Sequence, residues 1–244
     1  MDVGRIITYG MCGVIFFGMV SGARAEESKL WKNELAVTYS QATGNTQNSK
    51  FGGSYDGIRK TENDELTLKA STLYSSQRKK MDGQKYNAVA RYAPNLGGSQ
   101  WYGFAKAETD HDRFAAIDYR VIPSVGCGYY FSDTAEWKAQ AEAGFGYEYV
   151  KYTDGSDDEN LSLIPRVYLE KAVFEKARLS EELIYYPSLE RASVYRFRSE
   201  TKFTNPLSET LAMRLSFIDE FNSTPRGDAK KNDTQLLASL VYSF

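Results

Sequence analysis

Histidine occurs once in this 244-residue chain and cysteine twice, a poverty that excludes most zinc centres and most pairings of a nucleophile with an imidazole base. An excess of one charge is missing too. With 30 Lys+Arg against 32 Asp+Glu the formal net charge is −2, so there is no basic footprint for nucleic acid. Long apolar runs are also absent: a mean hydropathy of −0.50 is incompatible with several helices of about 20 apolar residues each, although a membrane barrel would pass this test. Prolines number only 6, while Tyr 18, Phe 13 and Trp 3 give an aromatic-rich composition that folds rather than staying disordered.

The first 25 residues differ from the rest. Arg5 precedes an apolar stretch from Ile6 to Val20, and Ala23-Arg24-Ala25 has the small-residue pattern of a cleavage site. The stretch of roughly 15 residues is too short to anchor in a bilayer and suits a secretory signal. Residues 1–25 are therefore expected to be a signal peptide cleaved after Ala25, leaving a single domain over 26–244. Cleavage also removes Cys12, so Cys127 has no disulfide partner within the chain.

From Leu35 to the end the pattern has a period of two. Trp137, Ala139, Ala141, Ala143, Phe145, Tyr147 and Tyr149 share one face of a strand, opposite Lys138, Gln140, Glu142, Gly144, Gly146 and Glu148. The same alternation sets Ile117, Tyr119, Val121, Pro123, Val125, Cys127, Tyr129 and Phe131 against Asp118, Arg120, Ser124, Gly126 and Gly128, and Tyr195, Phe197 and Phe203 against Arg196, Arg198, Glu200 and Lys202. Strands of this length, about twelve in number, point to an all-β fold, an antiparallel up-and-down transmembrane barrel. A soluble sandwich also alternates, but its strands are shorter. Connections alternate in length as a barrel requires: Pro94–Ser99, Ser132–Glu136 and Asn205–Ser208 are short, whereas Gln77–Gln84, Asp110–Ala115, Thr153–Asn160 and Asn222–Asp233 read as exposed loops. Trp101 with Tyr102, Tyr147 with Tyr149 and Tyr185 with Tyr186 lie where aromatic girdles meet the membrane surface.

The final strand sets Leu236, Ala238, Leu240, Tyr242 and Phe244 on one face, with phenylalanine last. Leu240, Tyr242 and Phe244 resemble the terminal assembly signal of bacterial outer-membrane barrels. Thr43-Gly44-Asn45-Thr46, Asp112-Arg113-Phe114 leading to Asp118-Tyr119-Arg120, Gly126-Cys127-Gly128-Tyr129 and the ending from Asp233 to Phe244 resemble the YdiY-like family of salt-induced outer-membrane proteins, over about residues 31–244. That resemblance implies a Gram-negative outer-membrane location and a barrel of this size. It brings no catalytic residues, no metal and no cofactor. The implied partners are outer-membrane lipid and lipopolysaccharide, with the barrel assembly machinery and periplasmic chaperones during biogenesis, and no nucleic acid.

The residues themselves supply no enzyme either. His111 has acidic neighbours but no His-x-Ser spacing, and the groups Glu108/Asp110/Asp112 and Asp154/Asp157/Asp158 read as solvated acidic loops rather than calcium sites. The functional candidate is the lumen, expected to be lined by Arg120, Arg196, Arg198, Lys202 and Arg214 together with Asp118, Glu142 and Glu200. Mixed signs favour a salt-bridged interior and a structural or envelope-stress role; the run Arg196, Arg198, Lys202 leaves a passive pore for small anionic solutes as the alternative.

Overall fold

The computed structural model describes residues 30–42, 48–77, 80–226 and 230–244; the proposed export segment and the turn at 43–46 lie outside them. The alternating segments form strands β1 (Trp31–Ala42), β2 (Asn48–Lys60), β3 (Asp64–Gln77), β4 (Lys80–Pro94), β5 (Trp101–Asp112), β6 (Ile117–Asp133) and β7 (Trp137–Tyr152). They continue as β8 (Asp157–Leu163), β9 (Arg166–Val173), β10 (Ala177–Pro187), β11 (Tyr195–Pro206), β12 (Leu211–Asn222) and β13 (Asn232–Ser243). Every pairing is antiparallel, and β1 pairs with β13 through Leu35↔Tyr242 and Val37↔Leu240, which closes the sheet.

Thirteen segments make twelve staves, because β7 pairs with β8 in its second half (Phe145↔Leu163) and with β9 in its first (Trp137↔Lys171). The interruption falls at Ile164 and Pro165, where proline has no N–H to give to a ladder. The remaining backbone groups are still used: Ile164 N donates to Gly144 O at 2.7 Å, and Pro165 O accepts from Tyr185 N at 3.1 Å. Ile164 itself turns inward and is buried with Ile122, Ile184 and Tyr186.

The short connections at 61–63, 95–100, 134–136, 174–176 and 207–210 share one rim with both strand ends of the closure, where Phe244 N donates to Asn33 O at 3.0 Å. Gly97 and Gly98 on this rim have φ of 64° and 70°, a region that favours glycine, which explains their place in the β4–β5 turn. The opposite rim carries 113–116, 153–156, 188–194, 223–226 and 230–231. Three expected loops are shorter than the sequence suggested: β4 already begins at Lys80 and β8 at Asp157, and β5 runs on through Asp112, which places His111 in a strand.

Side chains divide as the period requires. Val37, Val125, Phe145 and Leu240 stand exposed on the outer wall. Two of the aromatic doublets split, as neighbours on a strand must: Trp101 and Tyr185 face outward, while Tyr102 is 0% exposed and Tyr186 is buried in the interior. Tyr102 and Phe104 pack with Ala93 and Tyr130 beneath a backbone kept bare by glycine. A Cβ at Gly126 would press on the Ala143 carbonyl and come within 2.6 Å of Gly144 Cα and 2.7 Å of Phe104 Cζ. Gly126→Ala is expected to cost about 1 to 3 kcal/mol as overpacking. Urea unfolding of the refolded barrel measures it, and an unchanged midpoint would show that the strand pair has room to spare.

Candidate functional site in the lumen

Inward positions of adjacent strands bring acids and bases together without any sequence neighbourhood. Lys85 on β4 lies 2.7 Å from Glu220 on β12 and 3.2 Å from Asp112 on β5. β4 and β12 are not neighbours in the sheet, so the contact with Glu220 crosses the lumen. Glu220 lies 3.4 Å from Arg198 on β11, and Arg198 lies 3.6 Å from Glu182 on β10. Glu182 is 2.6 Å from Arg166 on β9, which is 3.0 Å from Glu142 on β7. Glu142 then meets Arg91, back on β4, at 2.6 Å. The chain of charges thus begins and ends on one strand, having crossed the interior twice.

Glu142 is the centre of this circuit. Its side chain is 5% exposed and accepts from Arg91, from Arg166 and from the Tyr102 hydroxyl at 2.8 Å. The Arg91 guanidinium also lies over the rings of Tyr102 and Phe104, each at 5.5 Å, so an apolar surface fixes the base that meets the acid. Nearer the rim with the longer connections, Arg120 takes Asp110 in a two-pronged contact of 2.9 and 3.0 Å and lies 3.6 Å from Glu148. Arg196 reaches the same Glu148 from three staves away while lying over Tyr186 at 4.5 Å. Toward the other rim, Arg214 meets Glu34 at 2.6 Å and Thr204 at 3.1 Å.

Of the residues singled out in the sequence, Arg120, Arg196, Arg198, Lys202, Arg214, Glu142 and Glu200 all enter this interior network, Lys202 at 3.0 Å from Glu200. Asp118 does not. A bulge between Ile117 and Tyr119 shifts the phase, leaving Ile117 buried and Asp118 exposed, with its carbonyl oxygen 2.6 Å from His111 Nδ1. Sequence reasoning overlooked the acids Glu148, Glu182 and Glu220, and it misplaced Glu108, Asp110 and Asp112, which are not a solvated loop but inward residues of β5, Asp110 and Asp112 buried. Continuing the inward phase of Tyr102, Phe104 and Lys106 by two residues at a time would have found Glu108 and Asp110.

The candidate cation ligands have other partners. Lys106 and Glu108 lie 3.1 Å apart, and Asp112 is 3.2 Å from Lys85. Asp157 is 3.6 Å from Lys151, and Asp158 is 3.2 Å from Arg191. Asp154, in the connection at 153–156, accepts from the Ser156 N–H at 2.8 Å and from its hydroxyl, and the hydroxyl contact leads in holding the carboxyl below its ordinary pKa. Among the described residues no group of three or more His, Cys, Asp or Glu is placed to hold a metal ion.

A closed antiparallel barrel with an apolar outer wall, aromatic rims and a charged interior is a transmembrane barrel of the bacterial outer-membrane class. The chain belongs to the DUF481 family, described as a protein of unknown function, whose match spans residues 35–244. Among solved structures it is similar to a NanC porin at 10% identity, covering 87% of this chain and 98% of that one with a TM-score of 0.52. It is also similar to an outer membrane channel from Pseudomonas putida F1 at 8% identity, covering 88% of this chain and 95% of that one with a TM-score of 0.54. These likenesses are of fold. No curated protein matches the chain.

Removing the shared acid tests the circuit. Glu142→Ala leaves Arg91 with Glu65 at 3.3 Å and Arg166 with Glu182, so the loss is expected near the lower end for a broken buried pair, about 3 kcal/mol. A fall in the urea midpoint measures it, and a variant as stable as the parent would show that water screens these charges.

Proposed function

We propose that this protein is a non-enzymatic structural component of the outer membrane whose lumen is held shut by its own ion pairs. The observation that carries the reading is the circuit from Lys85 through Glu220, Arg198, Glu182, Arg166 and Glu142 to Arg91, which ties β4 to the opposite wall. A pore selecting anions presents bases without matching acids. Here each of Arg120, Arg196, Arg198, Lys202 and Arg214 has an acid within 3.6 Å. A solute entering the lumen would have to break several partly desolvated pairs in sequence.

The remaining parts of the reading concern biogenesis. Residues 1–25 act as the export signal, periplasmic chaperones carry the mature chain, and Leu240, Tyr242 and Phe244 present it to the barrel assembly machinery. These three side chains stand exposed on the outer face of the closing strand, which supports that role. The finished wall meets outer-membrane lipid and lipopolysaccharide. The resemblance to YdiY-like salt-induced proteins supports a role in the envelope under osmotic stress.

Two measurements test this. The mature barrel in a planar bilayer is expected to be electrically silent, whereas Glu142→Gln with Glu182→Gln, checked for folding by heat-modifiable migration, is expected to give discrete steps. Steps with a definite ion preference from the parent protein would overturn closure and establish a passive pore for small anions instead. The intact mass of protein recovered from outer membranes is expected to begin at Glu26; a retained Met1 would overturn export by this segment.

A further inference from the structure

The outer wall is uneven in charge. Among the described residues, the outward positions of β1 to β7 between the aromatic rims are apolar, small or hydroxyl-bearing, as in Leu35, Ala70, Ala88, Ala107, Val125 and Ala143. On β10 the pattern changes. Glu181 stands between Leu179 and Leu183 on the lipid side, half-buried near the middle of its strand, and pairs in register with Leu169 and Thr201. Its carboxylate accepts from the Ser199 hydroxyl at 2.7 Å and from the Thr201 hydroxyl, and among the described residues it has no ion-pair partner. Directly across from Ser199, Asp219 also faces outward, and its Oδ1 is buried without a hydrogen bond.

An ionised carboxylate at the middle of a lipid-facing wall is unfavourable, and two hydroxyl donors only partly replace its hydration. The same face also carries a base. Lys171 on β9 points outward, exposed, with its Nζ 4.9 Å from the centre of the Trp137 ring. In register it pairs with Leu179, one outward position nearer the short-turn rim than Glu181. Acid and base therefore sit diagonally on neighbouring strands. A two-fold axis along the membrane normal keeps every residue at its own depth and turns one such face onto another, and the long flexible stem of Lys171 spans the offset of one outward position to the other copy's Glu181.

We propose that the outer face of β9 to β12 is the interface of a two-fold dimer of this chain, in which Glu181 of each copy takes Lys171 of the other. The dimer buries Asp219 and the Ser199 and Thr201 hydroxyls away from lipid and leaves the uncharged side of the barrel facing the bilayer. The inference rests on the membrane-spanning barrel and not on the closed lumen, so conductance and association fail separately.

The test uses protein expressed from the full chain and recovered in outer membranes in a Cys127→Ala background. Leu183→Cys, next to Glu181 on the outer face, is expected to give a band of doubled mass with a short thiol cross-linker, and Ala88→Cys on β4 is not. Glu181→Lys is expected to abolish the doubled band, and Glu181→Lys with Lys171→Glu to restore it, each variant being confirmed as folded by heat-modifiable migration. Sedimentation of the parent protein in mild detergent gives the mass without any cross-linker. A monomer by sedimentation, a dimer indifferent to Glu181→Lys, or a cross-link to a different membrane protein would each overturn the proposal.

Discussion

The pairing of β1 with β13 is the contact on which the rest of the structure depends. In hydrocarbon a strand edge leaves a row of N–H and C=O groups without partners, and only a sheet that returns to its first strand removes that row. Glu34↔Ser243 through Tyr39↔Ala238 supply this closure, and Asn33 and Phe244 extend it by exchanging backbone hydrogen bonds at the rim. Closure then sets the inside apart from the outside. Leu35, Val37 and Tyr39 are committed to lipid, and Ala36 and Thr38 to an interior where Thr38 meets Ser239 at 2.7 Å.

Enclosure withdraws the inward charges from bulk solvent, as the low exposure of the Glu142, Arg120 and Glu148 side chains shows, which makes the composition of the inward positions consequential. Isolated buried charges are costly, and an ion pair offsets that cost only when further hydrogen bonds satisfy both members. The lumen meets this condition by sharing. Glu142 serves two arginines and a tyrosine, Arg198 serves three acids, and Glu148 serves two arginines. Sharing also fixes each side chain from several sides, so one more contact on an already ordered guanidinium sacrifices little rotamer freedom. Apolar clusters at Ile122/Ile164/Ile184/Tyr186 and Ala93/Tyr102/Phe104 fill the space between these pairs, and arginines lie against their aromatic faces.

Strand positions, faces and rims were legible in the sequence because a period of two is a local property of the chain. The wall from Trp137 to Tyr149 could be divided into lipid and lumen sides by counting alone. Three features escaped such counting. The bulge at Ile117/Tyr119 reverses the phase without a glycine or proline to announce it, and so Asp118 was misplaced. The stave interrupted at Ile164 and Pro165 reads as one continuous strand because both halves keep their alternation. Partner choice escaped for a deeper reason: Lys85 and Glu220 are 135 residues apart, and only the curvature of the closed sheet brings them within 2.7 Å. Periodicity can show that both point inward, but it contains nothing about which stave faces which across the lumen.

The same counting that fails inside the barrel is informative outside it. An inward acid needs no special explanation, since the interior contains bases to receive it. An outward acid such as Glu181 has only lipid, its own wall or another protein to face, and among the described residues its own wall gives it the Ser199 and Thr201 hydroxyls while Lys171, one position off on the neighbouring strand, lies over Trp137. The lumen sets its charges against one another across opposite staves, and on the proposed closed-lumen reading the outer surface and the rims are the places where the barrel meets other molecules. Charge on the spanning wall is concentrated on the side formed by β9 to β12, with Lys171 beside Glu181 and Asp219 two strands on, whereas the opposite side is lined by alanine, valine and leucine. A barrel solvated by lipid alone gains nothing from such an asymmetry. A barrel that keeps one side against a copy of itself can place there the polar contacts that set register and orientation, at the positions where lipid would tolerate them least.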